Sequence, residues 1–458
     1  LGESSCLMHC SEKVFSMLVW GFFRCGEIEL AWRLLDRLVL NRVNPGIAAF
    51  GVWLHQCRHR RPDIGREVRV LLYLAKLRPC RHLIIMILNA VVMRLRDCGE
   101  MASAFRLLRH MATDSAGDHI TELLHDRLAG AVDLDDTAAL HKVSNMLAID
   151  WHVPVRIRGN LRCDYDKECQ VLRYVMMTAQ QGNPGSVIES IERFSEEGHG
   201  WLKIAGDEKG AVLDDLVQVL TRAPPRLILE FGCYVGYSAC RMARLLQGAG
   251  HLISVEVDPV HACIAQSMLE FAGLYDKVTI YVGYSEEAIP NLHSICNGTT
   301  ADVIFMDQRG TRFHIDLQAL EAQKLLSLGC LVTADNVLKP GAPHFLWHLH
   351  SSEEYQLTVV SLREFAAERI EDWMCVARYT PLGDTQSGVE PPDELAELAF
   401  RTDRVRQRSC AGDNPGEVGE DDWACHSQEV RRAYTAAGIC PRIVHVHRRE
   451  DGTPYVDW

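Results

Sequence analysis

The sequence lacks the signals of several protein classes. Its 17 cysteines form no C-x-x-C pair, and Cys6, Cys10 and His9 have no matching second half, so we predict neither a zinc site nor a disulfide scaffold. The longest nearly uninterrupted apolar run, Leu83 to Met93, is far shorter than the roughly 20 residues that cross a bilayer, so we expect no membrane partner. Free thiols favour a reducing compartment, and we predict a cytoplasmic location. An organelle is the alternative, because a chain that begins at Leu1 is typical of a fragment or a processed product.

Acidic residues are also scarce in one stretch of the chain, residues 58–96. The formal net charge of -13 opposes general attraction to nucleic acid, but residues 58–96 carry ten Arg or Lys against only two acids, Asp63 and Glu67. Such a basic stripe can bind phosphate, and it is equally typical of a solvated helix face. The stripe therefore leaves an RNA partner open without predicting one.

The first third of the chain repeats itself. An acidic residue followed by an apolar one recurs at 27–28, 63–64, 100–101 and 133–134, a period of roughly 35 residues that suits a two-helix unit. We predict an all-α domain of helical hairpins over residues 10–155. Its best-preserved unit, which contains "CGEIELAWRLLDRL", resembles the pentatricopeptide repeat, a family that binds single-stranded RNA. The positions matching that family's base-reading residues are poor readers (Ser16, Gly46, Gly51 and Ile85), which favours a protein partner or a packing role over an RNA partner.

From about Cys169 onward, short apolar runs alternate with amphipathic stretches. This pattern predicts an α/β fold, a doubly wound parallel sheet with helices on both faces. The predicted strands are "RLILEF", "HLISVEV", "KVTIYV", "DVIFMD" and "CLVTAD", followed by a pair around "YQLTVV" and "WMCVARY". Ligands of such sheets bind beyond the carboxyl ends of the strands, so the candidate site residues are those at the strand ends.

The first predicted strand runs into a glycine turn, "EFGCYVGYSACRMARLL". Gly232 and Gly236 permit close backbone approach, and the helix that follows offers free N–H groups. The turn is neither a P-loop nor the G-x-G-x-x-G of dinucleotide binders. Glu256 closes the second strand 20 residues after Gly236, a placement that suits hydrogen bonds with ribose hydroxyls.

Acidic and amide side chains end the fourth and fifth predicted strands. Asp307 ends one, Asp335 and Asn336 end the other, and one helix-sized segment separates them. A right-handed crossover brings the carboxyl ends of such strands side by side. Three oxygen donors then converge, which suits Mg²⁺. The alternative makes both aspartates helix caps or turn residues.

These motifs together resemble the catechol O-methyltransferase family over about Val171 to Tyr379. The segments "EFGCYVGYSACRMARLL", "GDEKG", "QSMLEFAGLYDKVTIYVG" and "ADNVLKPGAPHFL" carry the likeness. The resemblance implies a Rossmann-like methyltransferase domain, predicted over residues 168–380, with S-adenosylmethionine and Mg²⁺ as cofactors and a small catechol as substrate. The cofactor-binding residues it implies are Ala205, Gly232, Tyr234, Tyr237, Ser238, Glu256, Val257, Ser285, Glu286 and Asp307. The implied metal ligands are Asp307, Asp335 and Asn336, and the implied substrate-binding residues are Trp201, Lys203, Asp335, Asn336, Pro340 and Glu364.

One departure from the family concerns catalysis. Where the family has Asp-His-Trp-Lys, this chain has Asp307-Gln308-Arg309-Gly310, so the family's catalytic lysine aligns with Gly310. We predict Asp307 and Glu364 as catalytic residues, and Lys339 as a partial substitute for the missing proton acceptor.

Residues 381–458 contain a predicted linker and a C-terminal segment of no recognised kind. We expect a short helix at 428–437 and a strand at 442–446, otherwise a free surface segment. The whole chain is predicted to be a methyltransferase that acts on a Mg²⁺-chelated catechol. The alternatives are an RNA-associated repeat protein with a fused methyltransferase, an inactive or weak methyltransferase that serves as an interaction protein, and an enzyme for another vicinal diol.

Overall fold

The computed structural model describes residues 18–19, 21–22, 25, 27–40, 166–197, 202–274, 276–365, 367–381, 390–410 and 418–458. These residues divide into two compact units. The first contains helices α1 (Ile28–Leu40), α2 (Asp166–Thr178), most of α3 (Pro184–Glu196) and most of α6 (Pro259–Ala272). The second contains the whole sheet and the remaining helices. Among the described residues, no helix has the length and apolar character to cross a membrane.

Helix α1 is the longest described part of the predicted repeat domain. Its buried residues, Ala31, Trp32, Leu35 and Leu38, recur at the three- and four-residue spacing that places side chains on one helix face. A helix is therefore confirmed here. The rest of the predicted repeats, with Ser16, Gly46, Gly51 and Ile85, lies outside the described residues.

A nine-stranded sheet forms the second unit, with strand order β3-β2-β1-β4-β5-β7-β6-β8-β9. Strands β1 to β5 are parallel, and β6 and β7 are antiparallel neighbours joined to the β5 edge. The strands are β1 (Leu227–Phe231), β2 (His251–Glu256), β3 (Val278–Val282), β4 (Ala301–Met306), β5 (Leu326–Ala334), β6 (Tyr355–Glu364), β7 (Ala367–Tyr379), β8 (Arg442–Arg448) and β9 (Pro454–Val456). The seven strands predicted up to Tyr379 are confirmed, with bounds that differ by a few residues.

Helices flank this sheet. Their bounds are α4 (Glu208–Asp215), α5 (Tyr237–Ala243), α7 (Ser285–Ala288), α8 (Leu292–Ile295), α9 (Phe313–Ala322), α10 (Pro343–Ser351), α11 (Asp393–Cys410) and α12 (Glu420–Ala436). Alternate strand residues such as Leu229, Ile304 and Val332 share one hydrophobic core with α9, α10, α11 and α12. On the opposite face, Glu230 of β1 faces Ser238 of α5.

The C-terminal segment, residues 390–458, is part of this unit. The predicted helix at 428–437 and strand at 442–446 are confirmed within α12 and β8, but the prediction of a free surface segment is wrong. β8 pairs in parallel with β6, and β9 pairs with β8, so both strands extend the sheet. Leu395, Leu398, Val430 and Tyr434 are buried in the shared core. Apolar residues on one face of each helix explain why the segment packs.

Candidate active site

Two aspartates lie side by side at the carboxyl edge of the sheet. Met306 of β4 is in register with Ala334 of β5, so the residues that follow, Asp307 and Asp335, leave neighbouring strands at the same level. Burial and the nearby Asp335 carboxylate raise the pKa of Asp307 well above its usual range. Burial likewise raises the pKa of Asp335, to about 6, against the opposing effect of Lys209. The crossover connection therefore places these carboxylates as the sequence predicts.

Lys209 lies at the centre of the buried acids, and the sequence reasoning did not single it out. Its side chain is 1% exposed, and its Nζ lies 2.9 Å from Asp335 Oδ1, 3.2 Å from Glu364 Oε2 and 2.9 Å from Asp372 Oδ2. Burial alone would lower the pKa of Lys209, but these three carboxylates outweigh it and raise that pKa well above the ordinary value. The ammonium thus ties together β5, β6 and β7.

Asp372 is the second residue that the sequence reasoning missed. It is fully buried in β7, and its Oδ2 accepts hydrogen bonds from Lys209 Nζ at 2.9 Å and from Asn336 Nδ2 at 3.0 Å. Its Oδ1 accepts the backbone N–H of Lys339 at 2.9 Å. Asn336 has a φ of 58°, the left-handed conformation that asparagine tolerates better than most residues. Asp372 therefore fixes the amide of Asn336 by its nitrogen and leaves the amide oxygen for a ligand.

The charges of this cluster suit a divalent cation. The four carboxylates of Asp307, Asp335, Glu364 and Asp372 face two ammonium groups, those of Lys209 and Lys339. The Asp307 carboxylate makes no hydrogen bond or ion pair with the described part of the chain. With Asp335 and Asn336 it offers the all-oxygen donor set that Mg²⁺ prefers, completed by water or substrate. Among the described residues, no group of three His, Cys, Asp or Glu side chains is placed to hold a metal ion.

The glycine turn after β1 closes against the next strand ends. Glu256 Oε2 accepts the backbone N–H groups of Cys233 and Tyr234, each at 2.9 Å. Gly232 has a φ of 97°, and a Cβ there would lie 2.8 Å from the backbone oxygen of Asp307. Only glycine can adopt this φ and lie this close to the backbone of Asp307. The turn thereby brings Glu256, the N-terminus of α5 and Asp307 to the same edge.

The other residues implied for cofactor binding lie around that edge. Ala205, Tyr237 and Ser238 are buried, whereas Val257 is 45% exposed. Ser285 and Glu286 begin α7, just after β3. Arg312 pairs with Glu286 at 2.6 Å. All these residues are described: Tyr237 and Ser238 begin α5, Val257 directly follows β2, and Ser285 and Glu286 come soon after β3.

Glu230 was also missed, although a lone acid inside the apolar strand "LILEF" requires a partner. It is fully buried, and its carboxyl group accepts hydrogen bonds from Ser238 Oγ at 2.5 Å and from Ser254 Oγ. Burial raises the pKa of Glu230 from the ordinary 4.5 to about 7. Glu230 connects β1 and β2 to the first turn of α5. That turn directly follows the glycine turn of the predicted cofactor site.

The raised pKa of Glu230 predicts a pH-dependent stability. Between pH 4.5 and 7 the folded protein keeps a proton that the unfolded chain releases, so the free energy of unfolding falls as pH rises. The fall amounts to at most about 3.5 kcal/mol at roughly 1.4 kcal/mol per pH unit. Denaturant titrations of Glu230→Gln should show a flatter profile over this range. Glu353→Gln, at an exposed position, should keep the wild-type slope, and an equal slope in Glu230→Gln would contradict the assignment.

The residues predicted to bind substrate are only partly gathered. Lys339 Nζ lies 3.1 Å from Glu364 Oε2, and Pro340 follows it directly. Burial would raise the pKa of Glu364, but Lys209 and Lys339 outweigh it and hold that pKa below its usual value. Lys203 is exposed, and Trp201 lies outside the described residues. The geometry thus connects Lys339 to Glu364, the residue proposed to receive a substrate hydroxyl.

The backbone closes the space beside Gly310. A Cβ at Gly310 would lie 3.1 Å from the backbone oxygen of Gly341 and 3.5 Å from Ala342 Cβ. That backbone is fixed by Tyr434 of α12, whose OH donates to the carbonyl of Val337 at 2.7 Å and accepts the N–H of Ala342 at 3.1 Å. At the position that aligns with the family's lysine, this chain therefore has no side chain and little space for one.

Comparison with known proteins decides the family. A family model described as O-methyltransferase matches residues 186–373. "Catechol O-methyltransferase" of Mus musculus is 40% identical over 217 residues, which cover 46% of this chain and 79% of the mouse protein. The chain belongs to the catechol O-methyltransferase family. The Bos taurus member is 39% identical over 44% of this chain and 72% of its own length. "Transmembrane O-methyltransferase" of Homo sapiens is 36% identical over 47% of this chain and 73% of its own length.

Solved structures of O-methyltransferases also resemble part of this chain. An O-methyltransferase from Bacillus cereus, crystallised with SAH, is 23% identical and covers 43% of this chain and 91% of its own, with a TM-score of 0.37. The family membership makes the matched region, residues 186–373, an S-adenosylmethionine-dependent O-methyltransferase domain. The predicted Rossmann-like fold class is confirmed for this part of the chain.

The family comparison suggests a test in which Gly310 is replaced by the lysine that the family has at this position. Gly310→Lys should not raise turnover, because its Cβ already meets the backbone of 341. It should lower the free energy of unfolding by about 1 to 3 kcal/mol, the usual cost of overpacking. Gly310→Ala, which adds the Cβ alone, is the matched control and should show a smaller loss. Thermal melts and methyl-transfer rates measure both. A faster enzyme of unchanged stability would contradict the account.

Proposed function

We propose that this chain transfers the methyl group of S-adenosylmethionine to one hydroxyl of a catechol that is held beside a Mg²⁺ ion. The observation that carries the proposal is the pair of neighbouring strand-end acids, Asp307 and Asp335, with the oriented amide of Asn336. Their donor set and surplus negative charge fit the ion. Two adjacent hydroxyls, as in a catechol, can reach a single ion together.

The chain's own residues would position the donor. Glu256 Oε2 accepts the backbone N–H groups of Cys233 and Tyr234 and so closes the turn at 232–236, where Glu256 would lie beside the ribose of a bound donor. Asp307 leaves β4 directly beside Gly232, so a donor bound at the glycine turn would share one edge of the sheet with the acids. This arrangement would place the methyl group in line with a hydroxyl oxygen.

The same cluster would position the acceptor. Asp307, Asp335 and Asn336 would hold the ion, which, when bound, stabilises the ionised hydroxyl by its charge. Glu364 would accept a hydrogen bond from the second hydroxyl. Lys209 and Lys339 keep Glu364 ionised by their charges, as the lowered pKa of Glu364 indicates. Lys339 is the residue proposed to assist proton removal, and its Nζ lies 3.1 Å from Glu364 Oε2 at this end of the cluster.

A methyl-transfer assay with isotopically labelled donor and plain catechol tests the proposal. We expect labelled product with Mg²⁺ and none with a chelator, and restored product when Mg²⁺ is returned in excess. Lys339→Met should lower turnover about 10²-fold to 10⁴-fold if Lys339 assists proton removal. Product formation that is indifferent to Mg²⁺ would overturn the role of the ion, and unchanged turnover in Lys339→Met would remove Lys339 from the mechanism.

Gly310 favours a second candidate function, a weak or inactive methyltransferase that uses its donor site for interaction. The family's proton acceptor is missing, and Lys339, the amine proposed to replace it in part, is paired with Glu364. Calorimetric binding of S-adenosylmethionine without product from any catechol, between pH 6 and about 9, would establish this candidate. An RNA partner for residues 10–155 concerns a region that lies mostly outside the described residues. Methyl transfer to RNA and not to catechol would establish it.

A further inference from the structure

The C-terminal segment covers the loop that carries the predicted substrate residues. Gly341 has a φ of 115°, and a Cβ there would lie 3.1 Å from Thr402 of α11 and 3.3 Å from Val430 of α12. His426 Nε2 donates a hydrogen bond to the carbonyl oxygen of Pro340 at 2.7 Å. This segment follows the region matched by the family model, which ends at residue 373. The substrate-side loop is therefore packed against structure that the family model does not contain.

Trp423, in the first turn of α12, lies next to the proposed substrate position. The Nζ of Lys339 lies 5.1 Å from the centroid of the Trp423 ring and 3.1 Å from Glu364 Oε2. His426, one turn further along the same helix, meets the Trp423 ring edge-on with 5.8 Å between centroids. A partly buried aromatic ring thus lies beside Lys339, one of the residues proposed to act on a bound catechol.

The segment is anchored firmly enough to act as a wall. Arg448 of β8 pairs with Asp207 and, at 3.2 Å, with Glu208 Oε1, both next to Lys209. Trp458 Nε1 donates to Asp215 Oδ2 at 2.7 Å. Since β8 also extends the sheet, the segment contacts both the 207–215 region and the 337–342 loop. Its position relative to the acids is fixed by these contacts.

We propose that α12 forms one wall of the substrate site and that Trp423 is a specificity-determining residue. The ring would limit the size of the substituent that a catechol carries away from its reacting hydroxyls. This inference rests on the proposed function, because it takes Glu364 and Asn336 as the hydroxyl-binding end of the site. The expected substrates are therefore flat catechols with small substituents.

The test compares kcat/KM for 4-tert-butylcatechol with that for plain catechol. A close apolar fit discriminates by about 10-fold to 200-fold. Trp423→Ala should therefore raise the ratio of bulky to plain substrate at least tenfold, through KM more than kcat, while Trp423→Phe stays near the wild-type ratio. Gln428→Ala, at an exposed position of the same helix, is the matched control and should change nothing. An unchanged ratio in Trp423→Ala overturns the inference.

Binding supplies a readout that does not depend on turnover. A catechol ring beside Trp423 should quench part of the tryptophan fluorescence of the wild type, and Trp423→Phe should lose that part. Equal quenching in both proteins would overturn the inference even if Trp423→Ala fails to fold. Failure of the proposed function has a different signature, no methylation of plain catechol by the wild type, and the fluorescence result still decides whether a ring binds at Trp423.

Discussion

Replacing Lys209 with methionine is expected to lower the free energy of unfolding by about 3 to 5 kcal/mol, because one buried ammonium balances three buried carboxylates. Without Lys209, the acids Asp335, Glu364 and Asp372 must either repel one another or take up protons at neutral pH. Urea unfolding at pH 7 measures the loss. Part of it should be recovered below about pH 5, where carboxyl groups become neutral.

Lys324→Met is the matched control for Lys209→Met, since Lys324 is exposed and outside the cluster. Its free energy of unfolding should stay within about 0.5 kcal/mol of the wild type. If Lys209→Met is as stable as Lys324→Met, the acids are not gathered around Lys209, and the geometry of the cluster is refuted.

Asp307→Asn should separate function from stability. Methyl transfer should fall about 10²-fold to 10⁴-fold, since a charge that stabilises the transition state is worth several kcal/mol. Without added Mg²⁺ the variant should be at least as stable as the wild type, because burial and the neighbouring Asp335 carboxylate make the charge of Asp307 unfavourable. A residue whose replacement lowers activity but not stability serves function and not folding.

Asp276→Asn, in an exposed turn, controls for the loss of an acid and should retain full turnover and wild-type stability. Two results would count against the role of Asp307. One is wild-type turnover in Asp307→Asn. The other is a large loss of stability, which would make Asp307 a structural residue of the β4 edge.

The sheet was predictable from sequence because its strands are short apolar runs bounded by turns. "DVIFMD" and "CLVTAD" both end in aspartate, and a parallel sheet aligns such ends, so the pairing of Asp307 with Asp335 needed no tertiary information. The glycine turn was equally predictable from sequence, since Gly232 adopts a φ that other residues avoid. Local pattern and sheet geometry were sufficient in these places.

The residues that organise the acids were missed for a different reason. Lys209 meets Asp372 across 163 positions of sequence, and no periodicity reports such a contact. A signal did exist: Glu230 in "LILEF" and Asp372 in "IEDWMCVA" interrupt apolar strands, and a buried charge requires a partner. The pattern shows that a partner is needed without showing which one.

The C-terminal segment was mispredicted because its composition is polar. Helices α11 and α12 carry many charged residues, and only a few apolar ones, such as Leu395 and Tyr434, reach the core.

The packing of α12 also explains why glycine replaces the family's lysine at position 310. Tyr434 fixes the 337–342 backbone where a lysine at 310 would begin, so the glycine and the added segment fit each other.

The most direct test of the account is a crystal of the full chain grown with S-adenosylhomocysteine and Mn²⁺ in place of Mg²⁺. The account predicts one anomalous peak within about 2.0 to 2.3 Å of oxygens from Asp307, Asp335 and Asn336, with the sulfur of the ligand beside the turn at Gly232. An ion bound elsewhere, or these three side chains directed away from one another with the ligand in place, would contradict it.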